Sequence, residues 1–246
     1  MTNFFLKPLC KLDNESIILE NIDYRIGNFK FKDFCLTLSA NQISALIGPN
    51  GSGKTLCLKI IAGLIKPKKG KINILNRTNY RIGYVSQKTV MLRRSVYENL
   101  KFALKIYKFS NLEIKIRINK ISKLMKIEHI IADSARTLSS GEQQLISILR
   151  SIIIRPNILL LDEPFSNLDQ KSIKKVEKIL ELCSKEGIKI IFVTHDAKQI
   201  KRFAKEVVFL NKGKVEEQGK TTSFFKISNN SNKSNALKYL NGELID

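Results

Sequence analysis

Apolar and polar residues alternate with a period of two across residues 17–38, and shorter, mostly apolar runs follow further along the chain. Phe29 and Phe31, for example, flank Lys30. A period of two is typical of a half-buried antiparallel ribbon, whereas unbroken apolar runs are typical of buried parallel strands. The mostly apolar runs lie at 43–47, 82–86, 158–161 and 188–194, and a further short strand is predicted at 71–75.

Helical periodicity occupies the segments between these runs. The pattern after Lys54 is helical as far as Gly63, a residue type favoured directly after a helix. Ser95 and Glu98 have the spacing of a capping box, so a helix is predicted to begin near Ser95. Helical periodicity then continues to Ile131 with little glycine or proline.

Two later helices are predicted from their first residues. Ser139 and Glu142 form a second capping-box pattern, ahead of an apolar face. That face consists of Leu145, Ile148, Leu149 and Ile152. Asp169 is placed to cap a helix that ends at Gly187.

The alternation of buried strands with helices indicates the α/β class with a mostly parallel core sheet. The ribbon at 17–38 adds an antiparallel β subdomain near the N-terminus, and residues 88–137 are predicted to be an inserted helical subdomain. We expect one domain over 14–225. A short polar link and a tail, 226–246, follow it, with a low-complexity stretch at 229–235.

Charge is the unusual feature of the composition. Lysine and arginine total 43 against 22 acidic residues, which gives a net charge of +21. Such an excess favours a polyanionic partner, either nucleic acid or an acidic membrane face. The alternative is a general bias toward lysine, and this fits better because lysines occur in nearly every segment.

Cysteine usage and hydropathy bear on the cellular compartment. The four cysteines lie far apart and form no C-x-x-C pair, and with two histidines in the chain the sequence predicts no metal-ligand cluster. Reduced thiols are therefore expected. No apolar run approaches the roughly 20 residues of a spanning helix, and residues 1–8 do not resemble a signal peptide. We expect a cytoplasmic protein.

Residues 48–55 follow the apolar run at 43–47 and match G-x-x-x-x-G-K-[ST]. Glycines allow tight turns and close approach to a ligand, and amide groups at a helix N-terminus attract phosphate. Lys54 is expected to reach the outer phosphates of a nucleotide, and the Thr55 hydroxyl to ligate Mg²⁺. The predicted phosphate loop consists of Gly48, Pro49, Asn50, Gly51, Ser52, Gly53, Lys54 and Thr55. The alternative is an ordinary glycine-rich turn between a strand and a helix.

Further motifs follow in a fixed order and favour a phosphate loop over an ordinary turn. They are Gln87 at a strand end, the segment 138–143, the run Ile158–Leu161 with Asp162, Glu163 and Pro164, the segment 167–169, and the segment 194–196. Together with the phosphate loop they resemble the ATP-binding-cassette (ABC) ATPases over nearly the whole chain. The resemblance implies the ABC ATPase form of the P-loop NTPase fold, with ATP and Mg²⁺ as ligands.

The resemblance also implies roles for individual residues. Asp162 would hold Mg²⁺ through water, opposite Thr55. Glu163 would polarise the water that attacks the γ-phosphate. His195 would contact the γ-phosphate and hold Glu163 in place, although a lone histidine after a strand is more often a surface residue. Gln87 would contact both the metal and the water.

A second copy of the chain is implied as well. In the family arrangement the segment 138–143 covers the ATP of a partner, so a two-fold pair encloses two nucleotides. Ser139 and Gly141, at a helix N-terminus, would face the γ-phosphate. The resemblance also places Glu142 and Asp169 among the nucleotide-binding residues. Ser139 would serve as helix cap and as ligand at once.

Several positions depart from the family pattern. Ile26 stands where an aromatic residue usually stacks on adenine, and Tyr24 or Phe29 would have to take that role. Ser140, Leu145 and Leu56 also differ from the residues common at their positions. None of these departures removes a group needed for hydrolysis, so we expect an active ATPase.

The stretch 87–100 and the chain from 206 to 245 are similar to the ATPase subunits of tungstate-type oxyanion importers. This implies a separate membrane permease, a solute-binding protein, a position at the cytoplasmic face of the membrane, and no direct contact with nucleic acid. The basic pair Arg93 and Arg94 in this stretch equally fits a solvated surface.

Two alternatives to an importer subunit remain. A soluble cassette ATPase that acts on nucleic acid or ribosomes would suit the positive charge, but it would usually carry two cassettes or a long coiled coil. A scaffold that binds ATP without hydrolysing it is disfavoured by Glu163 and His195.

Overall fold

A computed structural model describes residues 16–39, 42–74, 80–166, 168–226 and 234–243. The chain divides into two units, which are described separately. Among the described residues, the first unit contains 80–159 and 163–188, and the second contains 16–39, 42–74, 160–162, 189–226 and 234–243.

The second unit contains the predicted antiparallel ribbon. Strands β1 (Ser16–Ile26), β2 (Phe29–Ser39) and β4 (Lys69–Ile74) form a sheet in the order β2-β1-β4, and β1 is antiparallel to both neighbours. The buried residues of β2 change phase from Phe31 to Phe34. Asp33, between them, has φ of +48°, and the register with β1 shifts at this point, so a bulge accounts for the phase change in the sequence pattern.

A second sheet of this unit is mostly parallel. It contains β3 (Ser44–Ile47), the end of β6 (Ile158–Asp162), β7 (Lys189–Val193), β8 (Glu206–Asn211) and β9 (Lys214–Lys220). Their order is β6-β7-β3-β8-β9. Strand β3 is parallel to β7 and β8, whereas β9 returns from β8 as an antiparallel hairpin. The helices of this unit are α1 (Lys54–Ile61), α6 (Ala197–Phe203), α7 (Thr221–Lys226) and α8 (Asn235–Leu240).

One buried strand of this sheet contains a lysine. Lys189 of β7 is 1% exposed, and its Nζ donates hydrogen bonds to the Gln42 carbonyl and to Ser44 Oγ, both at 2.6 Å. Ser44 in turn donates to Glu206 Oε2 at 2.6 Å, which lies 4.0 Å from Lys189 Nζ. The buried charge is therefore compensated by polar neighbours, as burial of an ammonium group requires.

The first unit contains β5 (Ile82–Val85) beside the beginning of β6, and a group of helices. These are α2 (Val96–Ile106), α3 (Asn111–Met125), a 3₁₀ turn at Glu128–Ile130, α4 (Ser140–Ile152) and α5 (Gln170–Lys185). Ser95, Ser139 and Asp169 are the N-caps of α2, α4 and α5, as predicted. The apolar face predicted for α4 is buried.

A capping box at the start of α3 was not anticipated. Ser110 accepts a hydrogen bond from the Glu113 amide, and the Glu113 carboxylate accepts one from the Ser110 amide. This pair begins α3, so the helical stretch predicted from Ser95 to Ile131 is divided after Ile106.

The α/β class, the mostly parallel sheet and the antiparallel subdomain are confirmed. The domain limits 14–225 and the inserted subdomain 88–137 stay predictions; residues 88–137 lie in the first unit together with β5, α4 and α5. Residue 14, Asn167 and most of the polar link after 226 lie outside the described residues. No helix in the described ranges is long and apolar enough to cross a membrane.

Candidate nucleotide-binding site

The loop between β3 and α1 has the backbone conformation that its glycines permit. Gly48, Gly51 and Gly53 have φ of +140°, +75° and +106°. A Cβ at Gly48 would lie 1.9 Å from the Leu210 carbonyl oxygen of β8, and one at Gly53 would lie 2.7 Å from the Phe29 ring. Side chains are therefore excluded at Gly48 and Gly53 by neighbouring atoms as well as by backbone strain.

The N-terminus of α1 is suited to an anion. Gly53 caps it without a side-chain hydrogen bond, and no acidic residue lies in its first turn. Exposed amide groups and the helix dipole leave partial positive charge at this point. The Ser52 hydroxyl is buried and has no hydrogen-bond partner among the described residues. A buried polar group without a partner is costly, so the loop fits a ligand with acceptor oxygens such as a phosphate.

Lys54 contributes the full positive charge of this loop. Its side chain is buried, and Nζ donates hydrogen bonds to the carbonyl oxygens of Gly48 at 2.6 Å and Pro49 at 2.7 Å. The ammonium group thus lies against the loop backbone, where a phosphate would be bound.

Thr55 and Asp162, the two residues predicted to hold Mg²⁺ from opposite sides, lie in contact. Thr55 Oγ1 donates a hydrogen bond to Asp162 Oδ2 at 2.8 Å. Asp162 ends β6 and is 2% exposed. A hydroxyl and a carboxylate are the oxygen ligands that Mg²⁺ prefers, so the pair fits that ion.

The first unit brings together two other predicted residues. Gln87 Nε2 donates to Glu163 Oε2 at 2.9 Å. Glu163 has φ of +50°, and its carbonyl accepts a hydrogen bond from Ser166 Oγ at 2.8 Å. A glutamate in the left-handed region is strained, and such strain is concentrated at functional sites. Sequence reasoning had assigned Gln87 to metal and water, and the contact with Glu163 was not foreseen.

Ser139 and Glu142 form the predicted reciprocal cap of α4. Ser139 Oγ donates to Glu142 Oε2 at 2.7 Å and accepts from the Glu142 amide at 3.3 Å. The hydrogen bonds from Ser139 lower the pKa of the Glu142 carboxyl group. Ser139 is exposed, and Gly141 follows in the first turn, so this helix terminus is accessible to a partner.

Asp169 is likewise exposed. Its carboxylate accepts a hydrogen bond from the Ser172 amide at 2.6 Å, and this bond lowers its pKa. Its structural role is to cap α5; its nucleotide-binding role stays a prediction.

His195, two residues after β7, is exposed, and its Nδ1 lies 2.6 Å from the hydroxyl of Tyr239 in α8. Tyr239 was not among the predicted site residues, because the sequence indicated only a short tail in that region. No local pattern could have linked it to His195, since 44 positions separate the two.

Phe29, one of the two residues expected to stack on adenine in place of Ile26, lies beside the phosphate loop. Ile26 is 57% exposed at the end of β1. The Phe29 ring, by contrast, lies against Gly53 of the phosphate loop and 5.2 Å from the Phe31 ring. Phe29 therefore adjoins the loop.

Comparison with known proteins is consistent with this geometry. A family described as "ABC transporter" matches residues 31–166. The chain is 36% identical over 220 residues to a sulfate/thiosulfate import ATP-binding protein CysA of Mesostigma viride, covering 85% of this chain and 63% of that protein. It is 36% identical over 214 residues to a probable CysA of Chlorella vulgaris (83% and 91%). It is 32% identical over 216 residues to a molybdate/tungstate import ATP-binding protein WtpC of Pyrococcus abyssi (84% and 63%).

Solved structures give the same result. An ATP-binding subunit of an ABC transporter superimposes with a TM-score of 0.81 at 22% identity, over 93% of this chain and 99% of that one, which concerns the fold alone. A dimeric ATP-binding cassette in a post-hydrolysis state with ADP and Pi superimposes with a TM-score of 0.74 at 27% identity, over 83% of this chain and 98% of that one. The chain belongs to the ABC ATPase family, as its motifs predicted. It spans slightly less than two thirds of the length of the CysA of Mesostigma viride and of WtpC.

Proposed function

We propose that this chain binds and hydrolyses ATP with Mg²⁺ and drives import through a separate membrane permease. The contact between Thr55 and Asp162 carries the first part of the proposal. It joins the first turn of α1, directly after the phosphate loop, to the end of a buried strand, which is where an NTPase needs its metal ligands.

Binding would use the groups around the loop. Lys54, now on the carbonyls of Gly48 and Pro49, would transfer its hydrogen bonds to phosphate oxygens, and the unpartnered Ser52 hydroxyl would gain a partner. Thr55, Asp162 (through water) and Gln87 would hold Mg²⁺, which would supply positive charge beside the β- and γ-phosphates.

Hydrolysis would use Glu163, Gln87 and His195. A water oxygen attacks the γ-phosphorus while the bond to the β-phosphate oxygen breaks, and the products are ADP and phosphate. Glu163, held by Gln87, orients that water and accepts its proton. His195 donates a hydrogen bond to the γ-phosphate.

A second copy would complete the site. The exposed cap of α4, with Ser139, Gly141 and Glu142, would cover the nucleotide held by the partner's loop. Asp169 would lie at the same interface. ATP then favours the closed pair and hydrolysis releases it.

The binding step is tested with two lysines of the same helix. Lys54→Ala should abolish retention of ATP and phosphate release, whereas Lys59→Ala, in the last turn of α1, should retain both. Fluorescent-nucleotide titration and a phosphate-release assay measure the two properties. Equal activity in the two variants would refute the proposed role of the loop.

The proposed cargo is a small oxyanion such as tungstate. Among similar proteins, CysA is named for sulfate/thiosulfate import and WtpC for molybdate/tungstate import, while an FbpC of Fusobacterium nucleatum, 32% identical, is named for Fe(3+) import. Oxyanions thus predominate among these names. As an importer subunit the chain would lie at the cytoplasmic face of the membrane, with a permease and a solute-binding protein as partners.

Transport is tested by uptake into proteoliposomes that contain the chain and its co-purified membrane subunit. The proposal expects ATP-dependent uptake of tungstate, molybdate or sulfate. Uptake of Fe³⁺ alone would contradict the proposed cargo. ATP turnover that increases with RNA or ribosomes, without any membrane subunit, would support the rival soluble function.

A further inference from the structure

The short helix α8 is fixed to the second unit by several contacts. Ala236 and Leu237 are 0% and 3% exposed. The Ala236 amide donates to Glu217 Oε1 of β9 at 3.2 Å, and Ser234 caps the helix through the Leu237 amide. The packing of α8 therefore fixes the position of Tyr239, two residues after Leu237, in addition to the contacts that the tyrosine side chain itself makes.

Tyr239 joins the core of this unit to His195. Its ring centroid lies 5.7 Å from that of Phe209, a buried residue of β8, and its hydroxyl lies 2.6 Å from His195 Nδ1. Phe209 pairs in register with Ile47, the residue before the phosphate loop. The tyrosine thus connects an exposed histidine to the strands that carry the loop.

The direction of this hydrogen bond decides the form of the imidazole ring, because a tyrosine hydroxyl can either donate to Nδ1 or accept from it. A neutral histidine has a proton on one ring nitrogen only, and the hydrogen bond at the other nitrogen decides which one. When the tyrosine hydroxyl donates to Nδ1, the proton resides on Nε2. Phosphate oxygens accept hydrogen bonds, so a histidine that contacts a γ-phosphate needs an N–H directed toward it.

We propose that Tyr239 is a positioning residue for His195, holding the ring in one orientation with the proton on Nε2 for donation to the γ-phosphate. This inference rests on the proposed role of His195 in ATP hydrolysis. It gives the C-terminal helix a function in the nucleotide site, because the Tyr239 hydroxyl lies at hydrogen-bond distance from the ring of His195. Preorganised donors act without reorganisation during reaction, which is the benefit expected here.

The test uses Tyr239→Phe, which retains the ring on Phe209 and removes only the hydroxyl. Ring-nitrogen chemical shifts from NMR report the tautomer directly, and the chain has two histidines, so a His129→Gln variant assigns the spectrum. In alkaline buffer without nucleotide, the parent should show the proton on Nε2. In Tyr239→Phe the Nδ1 signal should move toward that of a nitrogen without a hydrogen bond.

Kinetics complete the test. Tyr239→Phe should lower kcat by about threefold to tenfold, the effect of one hydrogen bond, with little change in KM for ATP. Tyr107→Phe, whose ring lies under Arg81 in the first unit, is the matched control and should leave kcat unchanged. The double variant Tyr239→Phe/His195→Ala should be no slower than His195→Ala.

Unchanged ring-nitrogen shifts in Tyr239→Phe would overturn the inference, and so would changed shifts with unchanged kcat. A parent chain that shows the Nε2 tautomer but no phosphate release would instead refute the proposed function.

Discussion

Gly48 is the position at which the phosphate loop has least room, and Gly51, in the same loop, provides a matched comparison. Alanine at either position enters the left-handed region, since φ is +140° at Gly48 and +75° at Gly51. The surroundings differ. A Cβ at Gly48 would lie 1.9 Å from the Leu210 carbonyl oxygen, whereas one at Gly51 would meet nothing within 4 Å.

The expected cost follows from these distances. Carbon and carbonyl oxygen normally stay about 3.3–3.6 Å apart, so Gly48→Ala must displace the loop or β8 by more than about 1 Å. Overpacking of this kind costs about 1–3 kcal/mol, in addition to about 1–3 kcal/mol of backbone strain. Gly51→Ala introduces only the backbone strain, which costs about 1–2 kcal/mol. We expect Gly48→Ala to lower the free energy of unfolding by about 1–4 kcal/mol more than Gly51→Ala does.

Urea unfolding of both variants without nucleotide measures this difference. Nucleotide titration of the folded variants then shows whether Gly48→Ala also weakens ATP binding, as a displaced loop would. Equal stability of the two variants would refute the argument that contact between Gly48 and Leu210 restricts the loop.

Two further predictions concern a buried charge and a pair of helix caps. Burial lowers the pKa of Lys189 to about 8, while the unfolded value is about 10.4, so between these values the unfolded chain binds a proton that the folded chain does not. The free energy of unfolding should therefore rise with pH over that window, by on the order of 3 kcal/mol. Urea unfolding of Lys189→Met should not show this rise. An equal dependence of the unfolding free energy on pH in the parent and in Lys189→Met would contradict the prediction. Ser139→Ala and Ser110→Ala each remove one capping box and should each cost about 1 kcal/mol of stability. Only Ser139→Ala should also slow phosphate release, and equal rates would mean that Ser139 acts as a cap alone.

Local features of the fold were predictable because they depend on residues close together in sequence. Ser139 and Glu142 are three positions apart, and the hydrogen bonds that define the cap occur between them. The bulge at Asp33, by contrast, was not predicted: a continuous period of two was expected across 17–38, and only the pairing with β1 shows the register shift.

Pairings across long stretches of chain were not predictable. The hydrogen bond from Gln87 to Glu163 spans 76 positions, and that between His195 and Tyr239 spans 44. Lys189 shows the same limit in the core, since nothing in the mostly apolar run 188–194 indicated that Ser44 and Glu206 would compensate its charge. These contacts depend on strand order, which a single sequence does not determine.

In the proposed cycle, two copies of this chain enclose ATP and separate when it is hydrolysed. Light scattering of Glu163→Gln with Mg²⁺ and ATP tests it most directly, because removal of the carboxylate should allow binding and prevent turnover. We expect a stable dimer that forms with ATP and is absent with ADP. A variant that stays monomeric with saturating ATP would contradict it.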